Sequence, residues 1–196
     1  DFERFEKDVP SRRSKPQFDI LQRLRMVANR IGKEPTRLEL DFDVIGKNST
    51  IPLYIFSNDI LEVCIDGNML CISVIQLWLM YLHRLCIESG STHLYGFIDP
   101  FHIQSSGNKP EESQTYLQKR LFEGQKMCYL APYYYMSHWQ LLVICPSKNI
   151  VVFFCSLGKK PNKNIQMIVD LAMEEGHRMA GRHSSQIMKP TWICPS

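Results

Sequence analysis

The sequence predicts an α+β fold, a mixed central sheet with flanking helices. Residues Pro132 to Gly158 read PYYYMSHWQLLVICPSKNIVVFFCSLG. These are two apolar, β-branched and aromatic runs joined by the turn-rich Pro146-Ser147-Lys148-Asn149, the pattern of an antiparallel hairpin. Met69 to Leu85 carries Leu70, Val74, Leu77, Trp78, Tyr81, Leu82 and Leu85, apolar nearly all round, as in a buried helix. Ile165, Ile168, Val169, Leu171, Ala172 and Met173 recur at helical spacing up to Ala180. Asn162 or Asn164 caps this second flanking helix and Gly181 stops it.

Composition allows one domain. At 196 residues the chain can bury a sizeable core, with residues 1–50 as a partly helical extension and 51–196 as the main unit. Hydrophobic content of 44% and charged content of 22% are ordinary for a globular protein. A net charge of +3 argues against nucleic acid as the main partner, and so against a transposase or DNA-binding role. The seven cysteines show no short paired spacing, which implies neither a disulfide framework nor a zinc site. A reducing, intracellular setting in nucleus or cytoplasm follows. The longest apolar stretch, Met69 to Leu82, is 14 residues with Ser73 and Gln76 inside it, too short for a bilayer. No signal pattern opens the chain, and its start at Asp1 suggests a fragment or processed product.

Taken in order, Arg12, Arg13 and Lys15 form a small basic cluster in a solvated arm. Phe18, Leu21, Leu24, Val27 and Ile31 predict an amphipathic helix over 18–31, stopped by Gly32. Leu38 to Val44 alternates as a short strand, and Gly46-Lys47-Asn48-Ser49 is a turn. Asp59 to Asp66 reads as a connecting unit with an extended core. Trp78 is expected in the core and His83 on the exposed side of its helix. Gly90 to Pro110 is loop-like, and His93 and His102 are loop histidines, since no cysteine falls at ligand spacing. Glu111 to Glu123 is a surface helix with Tyr116, Leu117 and Leu121 on one side. Met127 to Ala131 and Thr191 to Cys194 are candidate strands, and no repeat is visible.

Symmetric folding of the hairpin about Ser147-Lys148 sets His138 opposite Leu157 and Gln140 opposite Cys155. His138 and Cys155 then share one face, one diagonal apart, roughly 7–8 Å between backbones. A slip of one residue would separate them.

The His138-Trp139 pair opening an apolar strand, followed by Cys155-Ser156-Leu157 near the end of the next, resembles the catalytic hairpin of the Ulp, or sentrin-specific, cysteine proteases. Plant members associated with transposable elements resemble it most, and Phe97-Ile98-Asp99-Pro100 has a similar counterpart in them. Leu70 and Ile75 match a helix that lies beneath the active site in the family, with Met69 where a tryptophan is expected. The resemblance runs from about Ile51 onward. It implies a cysteine-protease-like fold, peptidase activity on ubiquitin-like modifiers or their conjugates, and no cofactor or metal.

Carried over position by position, His138 is the general base. Trp139 is the aromatic that shields the base and lies near the modifier's tail. Cys155 stands where the family has the aspartate that orients the imidazole. A neutral thiol is a weak acceptor and replaces that carboxylate poorly. The family's glutamine and nucleophile fall in a later Gln…Asp/Glu-Cys-Gly segment. Trp192-Ile193-Cys194-Pro195-Ser196 resembles the threshold of that segment, so the expectation is a domain incomplete at its C-terminus and inactive alone. Cys194 precedes the nucleophile position and is not taken for it. Cys155 as nucleophile with His138 as base is conceivable, but a strand thiol has no helix dipole to lower its pKa. Cys155 as a small buried hydrophobe is the simpler reading. A decayed homologue that grips a modifier without cutting it is the alternative function.

Overall fold

Alternation decides the architecture. Tyr129, Ala131 and Tyr133 on one strand and Leu142 and Ile144 on the next are buried, while the residues between them are half-buried. A sheet with that pattern has one face fully packed and the other partly covered. The computed structural model describes residues 17–39, 44, 52–64, 69–181, 183 and 188–195, apart from the side chains of 17–19.

In chain order the elements are α1 (Gln17–Ile31), β1 (Thr36–Leu38), β2 (Leu53–Ile55), α2 (Ser57–Val63), α3 (Ile72–Glu88), β3 (Tyr95–Phe97), α4 (Pro110–Glu123), β4 (Cys128–Tyr134), β5 (Trp139–Cys145), β6 (Ile150–Phe154), α5 (Lys163–Met179) and β7 (Thr191–Ile193). Five strands form a mixed sheet in the order β3-β4-β5-β6-β7. The inner pairs are antiparallel, and the edge strands β3 and β7 run parallel to β4 and β6. Strands β1 and β2 make a separate antiparallel pair that joins residues on both sides of position 50.

Helices α4 and α5 pack against each other over the buried face. Their close approach depends on Gly176, where a Cβ would lie 2.1 Å from the Phe122 ring. The opposite face meets α3 through Leu79 and Cys86, which join Val44, Phe97 and Leu130 in a smaller cluster. No helix among the described residues is long and apolar enough to cross a membrane.

Several expectations change. Helix α3 begins at Ile72 and runs to Glu88, and only Gln76, Leu79 and Cys86 are buried on it. Trp78 is 56% exposed rather than core. The sheet covers one side of α3, and its other apolar residues line an open groove of about 1030 Å³ that includes Trp78, Tyr81, Leu24 and Val63. His83 is half-buried, its ring edge-on to Phe97.

Of the unit at Asp59 to Asp66 expected to have an extended core, residues 59–63 are helical, part of α2 (Ser57–Val63), which is capped by the Phe56 N–H donating to Asp59 Oδ2 at 2.8 Å. The strand expected over 38–44 is found at Thr36–Leu38, and residues 40–43 lie outside the described residues. So do the basic cluster at 12–15 and the turn at 46–49. The loop-like 90–110 contains β3. Strand β4 runs through Pro132 to Tyr134, three residues further than expected. Proline is tolerated there because β3 ends opposite Leu130, leaving no neighbour to receive an N–H from position 132.

Candidate active site

Strand β5 is held between two tight turns. At its far end Pro146–Lys148 forms a 3-10 turn closed by Asn149 at φ 54°. Asparagine tolerates the left-handed region, so this chemistry fits its geometry. The resulting register is the expected one, with Leu141 opposite Phe154 and Cys145 opposite Ile150.

At the near end, β4 turns into β5 through Met136 (φ 51°) and Ser137 (φ 58°). The Tyr135 N–H donates to the His138 carbonyl at 3.0 Å, closing a two-residue hairpin. Two successive positive φ values are the mark of a type I′ turn, normally built from Asn-Gly. Methionine and serine pay a steric cost there, about 1–2 kcal/mol per residue. Strained backbone beside a reactive side chain is a feature of functional sites. This turn delivers His138 to the residue before β5.

His138 is half-buried, and its Nε2 lies 3.3 Å from Ser156 Oγ. The donor depends on the imidazole tautomer. Cys155 follows the last residue of β6 and packs against the main core beside Phe153. His138 and Cys155 both lie one residue beyond their strands, where the ladder that would set them on one side of the sheet has ended. The residue in hydrogen-bond reach of the imidazole is Ser156, not Cys155. Sequence reasoning gave the orienting role to position 155. The serine was visible in the same Cys155-Ser156-Leu157 segment, but strand alternation does not extend past Phe154, where the chain bends into a turn.

Trp139 is half-buried and tilted against its cross-strand partner Tyr134, ring centroids 5.3 Å apart. Its Nε1–H donates to the Leu70 carbonyl at 2.8 Å. That bond ties the segment before α3 to Trp139. Met69, next to it, is 49% exposed.

A second polar centre was missed in the sequence. Asp99 is buried, accepting from Gln76 Nε2 at 2.9 Å and from the Phe101 N–H at 3.0 Å. Its own N–H donates to the Tyr116 hydroxyl at 2.9 Å. His102 Nε2 stands 3.7 Å from Asp99 Oδ2, with its ring against Tyr116. Burial, reinforced by the Asp99 charge, pushes the Tyr116 phenol well above its ordinary value. This network joins α3, the exit of β3 and α4, and reads as a structural lock.

Among the described residues, Asp59, Glu62 and Cys71 bring potential metal-ligating atoms within 4.8 Å of one another. Burial raises the Cys71 thiol, and the two carboxylates raise it further.

Among the described residues no carboxylate is placed against the His138 imidazole, where an anion would be needed to stabilise an imidazolium. Ser156 offers a neutral hydroxyl in its place.

No protein-family model matches the chain, and no curated protein matches it. Solved structures do. The C-terminal Ulp1 protease domain in complex with Smt3, the yeast ortholog of SUMO, aligns with a TM-score of 0.56 at 15% identity, over 90% of this chain and 71% of that one. A de-sumoylating protease aligns with a TM-score of 0.56 at 14% identity, over 84% of this chain and 64% of that one. The mixed sheet with helices on both faces is therefore the fold of the Ulp1 protease domain.

Proposed function

We propose that this chain is a Ulp-type cysteine-peptidase domain, whole or in part, whose partners are ubiquitin-like modifiers or their conjugates. One observation carries the reading. In a scaffold of the Ulp1 kind, a His-Trp pair opens β5 and its imidazole meets the segment leaving β6. In this reading His138 is the base that takes the proton of an attacking thiol. Trp139 flanks the modifier's tail, anchored through Leu70. Cys155 occupies the position of the orienting acid. The fitting setting is a reducing one, nucleus or cytoplasm.

The chain as given is expected to bind without cutting. Ser156 is neutral and Cys155 is turned to the core, so nothing among the described residues stabilises a charged His138 in place of the acid. The cysteine at position 155 favours a second form of the same reading, a modifier-binding module that has lost its chemistry. The parent reading frame separates the two. Continuation into a Gln and Cys-Gly segment makes this the histidine-bearing part of an active peptidase, and a stop codon makes it the module.

The test uses SUMO-type and ubiquitin modifiers carrying a C-terminal fluorogenic amide. Saturable binding by anisotropy with no fluorophore release is the expected result. Release that disappears in His138→Ala would overturn the inactivity and return Cys155 or another thiol of the chain to the role of nucleophile. Absence of binding to every modifier would overturn the whole reading.

A further inference from the structure

The β4–β5 ladder sets two thiols face to face at the end remote from His138. Tyr129 pairs with Ile144, so the next pair outward, both members still inside their strands, is Cys128 with Cys145. The hydrogen bonds fix the type of pair. Tyr135 bonds His138 across the same ladder, so the bonded pairs are Tyr135–His138, Tyr133–Gln140, Ala131–Leu142 and Tyr129–Ile144 by alternation. The pairs between them are non-hydrogen-bonded. Pro132, which has no N–H to give, sits opposite Leu141 in one of these. Cys128 belongs to the same set, and its N–H points the other way, to the Leu94 carbonyl at 3.0 Å.

Non-hydrogen-bonded pairs bring the backbones closest, with Cα atoms about 4.5 Å apart and side chains nearer than in bonded pairs. A disulfide takes Cα separations of roughly 4.4–6.8 Å. Both thiols are free and half-buried, on the less covered face of the sheet. We infer that Cys128 and Cys145 form a redox-modification site, a cross-strand thiol pair that a peroxide converts to a disulfide without moving the strands.

The step balances with hydrogen peroxide as oxidant. The thiolate of one cysteine attacks a peroxide oxygen and the O–O bond breaks, leaving a sulfenic acid and hydroxide. The sulfur of the second cysteine then attacks the sulfenyl sulfur. The S–S bond forms, the S–O bond breaks, and the departing hydroxide takes the second thiol's proton as water. The hydroxide from the first step takes up the proton that the first thiol lost on ionising, so that two thiols are oxidised, one peroxide is reduced, and two waters leave. Burial raises the Cys128 thiol and the facing Cys145 raises it further, while Lys148 acts in the opposite direction. Formation should therefore quicken as pH rises toward the ordinary thiol range. Nothing in this pairing depends on the peptidase reading.

The native chain, reduced and freed of reductant, is treated with hydrogen peroxide, alkylated and digested with trypsin. The tryptic peptide Met127–Lys148 holds both thiols. The expected product is that peptide lighter by two hydrogens, refractory to alkylation, and restored by reductant. In Cys128→Ser, a sulfenic acid that reacts with dimedone is expected at Cys145 instead. Two alkylated thiols in Met127–Lys148 after the exposed Cys194 has been oxidised would overturn the inference. So would a disulfide joining either cysteine to a third one or to a second chain.

Discussion

The two turns that bracket β5 do the same job with opposite chemistry. The far turn, Pro146 to Asn149, uses proline to set its first φ and asparagine to take the left-handed position. The near turn forces Met136 and Ser137 into that region with no glycine or asparagine to ease it. The relaxed turn holds the sheet together: Asn149 Nδ2 donates to the Met188 and Lys189 carbonyls at 3.0 and 3.3 Å, and its own carbonyl receives the Thr191 N–H. The strained turn presents His138. Local chemistry agrees with the fold at the turn that ties β7 to the sheet and departs from it at the turn that leads into the candidate site.

Four variants break or sharpen that contrast. The largest effect is expected from Leu142→Ala, in the fully buried middle of the strand that both turns share. It should cost about 2–5 kcal/mol in urea unfolding, and both turns should be lost in one transition. Asn149→Ala comes next, at about 2 kcal/mol, through the left-handed φ and the bonds to 188 and 189. Asn149→Gly should recover the φ contribution alone, and hydrogen exchange should show the loss concentrated at β7. The smallest change runs the other way. Replacing Met136-Ser137 by Asn-Gly should stabilise the chain by about 1 kcal/mol, read as a raised urea midpoint at unchanged slope. Equal destabilisation at both turns would erase the contrast.

The same two turns show what the sequence made legible. Ser147-Lys148 lies in a turn-rich tetrapeptide between two apolar runs, so the β5–β6 register could be counted residue by residue. Met136-Ser137 carries no turn signal, so the strand at Met127 to Ala131 was not joined to the one headed by His138-Trp139, and the β4–β5 hairpin went unseen. Periodicity identified α3 but not what covers it, because an apolar face looks the same whether it packs on a sheet or lines a groove. Trp78 was misjudged for that reason. The seven-residue α2 was too short for its period to register. At the site, the place of His138 and Trp139 at a strand head was legible, while their roles came only from the family resemblance. The partner of the imidazole was not, since the choice between Cys155 and Ser156 depends on a bend after Phe154 that no pairing rule describes. The Asp99–His102–Tyr116 network was equally hidden, being assembled from a loop and two helices.

The central claim is that the His138–Trp139 corner receives a modifier's tail. The chain's three tryptophans, Trp78, Trp139 and Trp192, report on it in one spectrum through their indole N–H resonances. Titrating the isotope-labelled chain with an unlabelled SUMO-type modifier should shift the Trp139 indole saturably and leave Trp192, bonded to Asp170 at 2.9 Å, in place. Trp139→Ala should then weaken the binding about tenfold or more. A Trp139 resonance that stays fixed while Trp78 moves would put the modifier on the open face of α3 and contradict the account.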